Sequence, residues 1–159
     1  MTLGIYGSSI LTLDSKGRVA IPAKYREVLR DICEGTLVIT RDPQYPALMI
    51  YPGRKWKEVS SKFENLGGLN PKTRSMQWTI LGNASVTEFE VSERMILLIP
   101  PILREVAGLK PKEKVALIGM GSKFEIWNIK NWKQKQAGKD IEGEVLLTDL
   151  PNYLEEVPF

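Results

Sequence analysis

Asp14-Ser15-Lys16-Gly17-Arg18-Val19-Ala20-Ile21-Pro22-Ala23-Lys24-Tyr25-Arg26 reads as a turn, a short strand and the start of a helix, and carries four basic side chains. Just before it, Ser8 to Leu13 alternates polar and apolar residues, Ile10 excepted, which puts Leu11 and Leu13 on one face of a strand. Asp-x-x-Gly then breaks the pattern. The Asp14 side chain can accept backbone N–H groups two or three residues on, and Gly17 can take the positive φ that closes a type I turn with a bulge. Arg18 is therefore expected just past a rigid corner. Val19-Ala20-Ile21 is a short apolar run that Pro22 ends while setting φ for a first helical turn. Tyr25, Val28, Leu29 and Ile32 then recur at helical spacing and leave Lys24, Arg26 and Arg30 off the apolar stripe. The unit is strand, turn, strand, helix, with cations at its corner and along its rim.

The same unit is written twice. An offset of 78 positions sets Ile21-Pro22 on Ile99-Pro100, Arg26-Glu27-Val28 on Arg104-Glu105-Val106, and Leu11 and Leu13 on Phe89 and Val91. Leu37 and Ile39 fall on Val115 and Leu117. An offset of 76 then matches Leu48-x-Ile50-Tyr51 to Phe124-x-Ile126-Trp127 and Trp56 to Trp132. After its helix each copy predicts a strand pair: Gly35 to Thr40 with Ala47 to Tyr51, and Val115 to Ile118 with Lys123 to Trp127, the latter joined by a Gly119 to Ser122 hairpin loop. Four short strands and one helix bury too little surface to close a core. Together the copies can form an α+β chain built as a pseudo-twofold β-rich barrel.

Composition narrows the function. At 159 residues and 43% hydrophobic, the chain can bury one core or two small fused ones. Its longest apolar run, Met95 to Leu103, is too short to span a membrane and holds Pro100 and Pro101. No charged region precedes an apolar one at the N-terminus, so no signal peptide is expected. Cys33 is the single cysteine, which rules out an intramolecular disulfide, suits a reducing cytoplasm and places a small buried hydrophobe near the end of the first helix. The absence of histidine removes Ser-His and Cys-His nucleophiles, imidazole bases and nearly every common zinc site. With no Walker loop, no G-x-G-x-x-G, no EF-hand spacing and no acidic pair apart from the solvated background, the chain is expected to be no enzyme, with no cofactor, metal or small-molecule substrate. Residues 1–80 carry 12 Lys and Arg against 7 Asp and Glu, whereas residues 139–159 carry 1 against 6. The basic half is the candidate polyanion surface, and the acidic tail must point elsewhere or fold back.

The expected organisation is a first repeat over 5–53, a helical connector over 54–80, a second repeat over 81–128, and a helix with an acidic tail over 129–159. In the connector, Trp56, Val59, Phe63 and Leu66 step at helical spacing. Asn70 is a candidate N-cap and Pro71 a first helical residue for a helix to about Leu81. Trp56 and Trp78 serve either as core or interface residues or as stacking surfaces for nucleic acid. Ile129 to Ala137 suits a last short helix, and the proline-punctuated tail beyond it has no readable pattern.

Leu13 to Arg26, then Asn70-Pro71, Leu81-Gly82-Asn83-Ala84-Ser85, Leu98 to Arg104, Ala107-Gly108-Leu109 and Lys123 to Trp127 follow in an order and spacing that resembles the MraZ transcriptional regulators, of the AbrB-like (SpoVT-AbrB) group of swapped-hairpin DNA-binding barrels. The resemblance covers about residues 3 to 132. It implies tandem AbrB-like repeats in a swapped-hairpin β-barrel with flanking helices. The implied protein is a cytoplasmic, nucleoid-associated repressor that binds short direct repeats in double-stranded DNA upstream of its own cell-division and cell-wall gene cluster, as a ring-shaped homo-oligomer away from any membrane.

The Asp-x-x-x-Arg motif that this family links to DNA contact maps onto Asp14 and Arg18. Members usually carry it in both repeats, but at the offset of 78 Asp14 meets Ser92, Gly17 meets Met95 and Arg18 meets Ile96. The second copy is therefore expected to act as a structural partner, with Arg94 either a substitute or a surface residue. In this reading Arg18 pairs with a guanine edge, Lys16 supports it, and Lys24, Arg26 or Arg30 meet flanking phosphates. Arg26 and Arg104 recur in both copies, which also suits a structural duty such as pairing with Glu27 or Glu105. The alternative is an antitoxin-like AbrB-type interaction module acting mainly through a protein partner.

Overall fold

In the computed structural model, which describes residues 4–88 and 94–159, β1 (Ile5–Thr12) runs into the corner and β2 (Arg18–Ala20) leaves it. Pro22, at φ −55°, precedes α1 (Ala23–Ile32), whose Tyr25 and Leu29 are buried. β3 (Thr36–Arg41) and β4 (Leu48–Pro52) follow, then α2 (Gly53–Glu64) and α3 (Pro71–Ile80). Asn70 caps α3 as expected, its side chain accepting the N–H groups of Lys72 and Thr73. The second copy supplies β5 (Ser85–Glu88), β6 (Ile96–Leu98), α4 (Pro101–Ala107), β7 (Lys114–Gly121) and β8 (Phe124–Asn128), and α5 (Ile129–Gln136) comes after it.

The copies are interleaved. Six strands form one sheet in the order β1-β7-β8-β4-β3-β5, and β2 pairs with β6 in a separate two-stranded ribbon. The first strand of each copy thus pairs with the third strand of the other, and every pairing is antiparallel. The main core mixes both copies: Leu13, Val19, Ile21, Leu29 and Leu37 pack with Leu97, Ile99, Leu103, Leu117 and Phe124. Each such side chain contributes about 1.5–3 kcal/mol on burial, a gain neither copy could realise alone. Cys33 is buried in this core. The class is α+β.

The pairing register departs from the uniform offset of 78. Leu11 faces Val115 and Thr87 faces Leu37, so Thr87, not Phe89, stands where Leu11 stands. Backbone hydrogen bonding sets this correspondence, and it leaves two more residues between Thr87 and Ile96 than between Leu11 and Arg18. Phe89 and Val91, with Ser92 and Glu93, lie outside the described residues. The loop expected over Gly119 to Ser122 is also shorter. β7 continues through Gly121 because its end pairs with Ile5, Tyr6 and Gly7, and a Cβ at position 119 would stand 2.8 Å from backbone atoms of Ile5 and Tyr6.

The acidic tail folds back. Through 3-10 turns at Leu147–Asp149 and Asn152–Glu156 it lays Leu150, Tyr153, Leu154, Val157 and Phe159 against a cluster containing Met49, Tyr51 and Phe63. Trp56 is half-buried with its ring 5.8 Å from that of Tyr51, whereas Trp78 is exposed on α3. Among the described residues no helix is long and apolar enough to cross a membrane.

Candidate nucleic-acid interface

Asp14 holds the corner together. Its Oδ1 accepts the backbone N–H groups of Lys16 (2.9 Å) and Arg18 (2.8 Å), and its carbonyl accepts that of Gly17 (3.1 Å). Gly17 sits at φ +81°, the left-handed conformation the turn requires. The second carboxylate oxygen of Asp14 accepts Nε–H of Arg18 at 2.8 Å. The Arg18 backbone N–H, followed by its guanidinium, keeps the Asp14 carboxyl below its usual pKa. With Nε engaged, the Arg18 side chain is still 43% exposed, and among the described residues no acceptor is bonded to its two terminal amino groups. A guanidinium braced at Nε and open at both amino groups presents the fork that pairs bidentately with a guanine edge or a phosphate. Lys16 is exposed beside it.

A further cation, not assigned to the corner by the sequence, comes from the second copy. The Arg104 guanidinium on α4 lies against Gly17, where an added Cβ would be 2.6 Å from Cζ and Nη1. Among the described residues its buried Nε has no hydrogen-bond partner and Arg104 forms no ion pair. Strand exchange explains the placement, since Ile99, just before α4, donates its N–H to the Gly17 carbonyl at 2.9 Å. The recurrence of Arg26 and Arg104 in both copies was the readable signal; which corner each would serve was not.

Arg26 is placed differently. Its Nε–H reaches the Ile21 carbonyl at 3.4 Å, and the position matching Gly17 is held by the buried Met95. Among the described residues neither arginine pairs with Glu27 or Glu105: Arg26 reaches the Ile21 carbonyl and Arg104 lies against Gly17. Lys24 lies over the Tyr25 ring at 4.9 Å, and the Tyr25 hydroxyl donates to the Tyr6 carbonyl, at the end of β1 away from the corner. Arg30 is exposed in the last turn of α1. The structure therefore gathers Asp14, Lys16, Gly17, Arg18 and Arg104, and sets Lys24, Arg26 and Arg30 apart on or beside α1. Arg94 is exposed; in the sequence, the two-residue offset sets it on Arg18 and sets Glu90, which lies outside the described residues, on Asp14.

A second polar group lies under the tail. Asp42, Lys123 and Glu125 line a cavity of about 330 Å³ closed on one side by Leu150, Leu154 and Phe159. Desolvation pushes the Asp42 carboxyl up to about 6, although its Oδ1 accepts the N–H groups of Gln44 and Tyr45. Burial pulls the Lys123 amine down; its Nζ is 3.9 Å from Glu125, 3.6 Å from the Met49 sulfur, and over the rings of Tyr51 and Phe159. These contacts tie the tail to β4 and β8. Among the described residues no group of three His, Cys, Asp or Glu is placed to hold a metal ion.

A family model described as "MraZ protein, putative antitoxin-like" matches residues 5–78 and 81–143. The chain is 43% identical over 126 residues to the "Transcriptional regulator MraZ" of Nitrosospira multiformis, covering 79% of this chain and 82% of the relative. It is 42% identical over 153 residues to that of Nitrosomonas europaea, covering 94% and 95%, and 39% identical over 152 residues to that of Escherichia coli O9:H4, covering 95% and 97%. These relatives are named as regulators of transcription, a class without enzymatic activity. On these matches, and with two interleaved copies of one unit, the chain belongs to the MraZ family of transcriptional regulators.

Proposed function

We propose that this chain binds double-stranded DNA through the Asp14–Arg18 corner and so represses the cell-division and cell-wall gene cluster to which it belongs. One observation carries the reading: Arg18 is braced at Nε by Asp14 at 2.8 Å while its side chain stays 43% exposed and, among the described residues, its terminal amino groups have no bonded acceptor. Such a fork reads a guanine edge, whereas Lys16 and Arg104 supply charge for the phosphates on either side. Lys24 and Arg30 serve phosphates farther along the duplex, and Arg26 has the more structural part. A few cations per subunit bind weakly, so a ring of subunits engaging short direct repeats multiplies the affinity through effective concentration. The exchange of first strands between the copies supports reading the fold as a swapped-hairpin barrel with repeats at 5–53 and 81–128. The protein then works in the cytoplasm, on the nucleoid.

The test is a gel shift of the purified protein on DNA from just upstream of its own gene, with salt titrated. Arg18→Ala is expected to keep its oligomeric state and lose specific retention. Normal retention by that variant sinks the proposal. A stoichiometric protein partner with salt-insensitive DNA binding would instead favour an antitoxin-like module; steep salt dependence is expected.

A further inference from the structure

We propose that Leu98, from the second repeat, is a specificity residue of the first repeat's corner, contacting the 5-methyl group of a thymine next to the guanine that Arg18 reads. This rests on the DNA-reading role of Arg18 proposed above. Leu98 is the cross-strand partner of Arg18 in the β2–β6 ribbon. The Ile99 N–H donates to the Gly17 carbonyl at 2.9 Å and the Ile21 N–H to the Met95 carbonyl at 2.8 Å, which makes 17/99 and 21/95 hydrogen-bonded pairs. Arg18/Leu98 and Ala20/Ile96 are then non-hydrogen-bonded pairs, the kind whose facing side chains approach most closely. Val19 and Leu97 point the other way and are buried, so the Arg18 and Leu98 side chains stand together on the outer face.

Leu98 is 50% exposed, and Ile96 beside it is 39% exposed. Two occupants could cover such a strip: DNA or a second copy of the chain. Charge favours DNA. At the corner Lys16 and Arg18 are exposed and the Asp14 carboxylate is already bonded to Arg18, so two copies meeting there would bring exposed cations together, whereas a phosphate backbone would neutralise them. A two-stranded ribbon fits the major groove, where the apolar feature on base edges is the thymine methyl. A leucine beside the reading arginine thus favours a T·A pair adjoining the guanine, and would desolvate polar base edges elsewhere without replacing their hydrogen bonds.

The experiment uses the full chain and a promoter fragment in which each thymine in turn is replaced by 2′-deoxyuridine, which removes only the methyl group. At one thymine per binding site the replacement is expected to weaken binding by the parent about fourfold, the worth of one buried methyl or methylene group. Leu98→Ala should bind the thymine and uracil fragments alike there, whereas Leu98→Met should keep the discrimination. Undiminished discrimination by Leu98→Ala, or no thymine at which the parent discriminates, overturns the proposal. A changed oligomeric state of Leu98→Ala in sedimentation, with methyl discrimination intact, overturns it in favour of a subunit contact. Arg18→Ala is run in parallel: if it binds like the parent, the underlying DNA-reading role fails, and if it does not bind, a negative result for Leu98 concerns Leu98 alone.

Discussion

The guanidinium of Arg104 fills the space in which a side chain at Gly17 would begin, so that a Cβ there would lie 2.6 Å from Arg104 Cζ. Position 17 is thus constrained twice, by its φ of +81° and by a side chain from the other copy. Gly17→Ala is expected to cost about 1–3 kcal/mol, part from the left-handed backbone and part from displacing Arg104. In an Arg104→Ala background the steric part should vanish and the backbone part persist. Urea denaturation of the four proteins measures both; equal costs in the two backgrounds would mean that the side chains do not compete for this space.

Asp14 and Arg18 make separable contributions. Asp14→Ala removes the acceptor of two backbone N–H groups and of Nε, so the corner should loosen and the denaturation midpoint fall, with DNA retention reduced. Arg18→Lys keeps the charge but loses the fork, and should retain non-specific binding while discrimination falls by about 1–3 kcal/mol. Competition gel shifts against scrambled DNA distinguish the two; unchanged discrimination by Arg18→Lys would show that a point charge suffices.

Asp42 supplies a pH dependence whose sign is set by its raised pKa. Its folded value of about 6 exceeds the ordinary 3.8, so the stability it contributes is complete below 3.8 and is lost as pH rises through about 6. Asp42→Asn keeps an oxygen acceptor but cannot ionise. It should match the parent at pH 3.5 and be more stable at pH 7.5, by on the order of 1–3 kcal/mol. Denaturant midpoints at the two pH values decide, and a variant less stable than its parent at pH 7.5 would contradict this account.

The folded-back tail contributes through packing. Leu154→Ala empties a buried position beside Met49, Tyr51 and Phe63 and is expected to cost about 2–4 kcal/mol without altering the gel shift. A cost under about 0.5 kcal/mol by urea denaturation would mean that the tail is not docked in solution.

What the residues alone determined is local. Asp14 and Gly17 made the corner legible because the contacts closing it span no more than four residues, and the same holds for the Asn70 cap and the buried face of α1. The internal repeat also announced that the copies would combine. Tertiary structure alone decided which strand meets which: Thr12 lies beside Lys114, 102 positions away, and alternating side chains specify a strand's faces without naming its partner. Strand exchange in turn put Arg104 and Leu98 at a corner 80 or more positions upstream, and the folded-back tail lines the same cavity as the desolvated Asp42. Pairing and desolvation depend on what a residue is carried against, which spacing along the chain does not record.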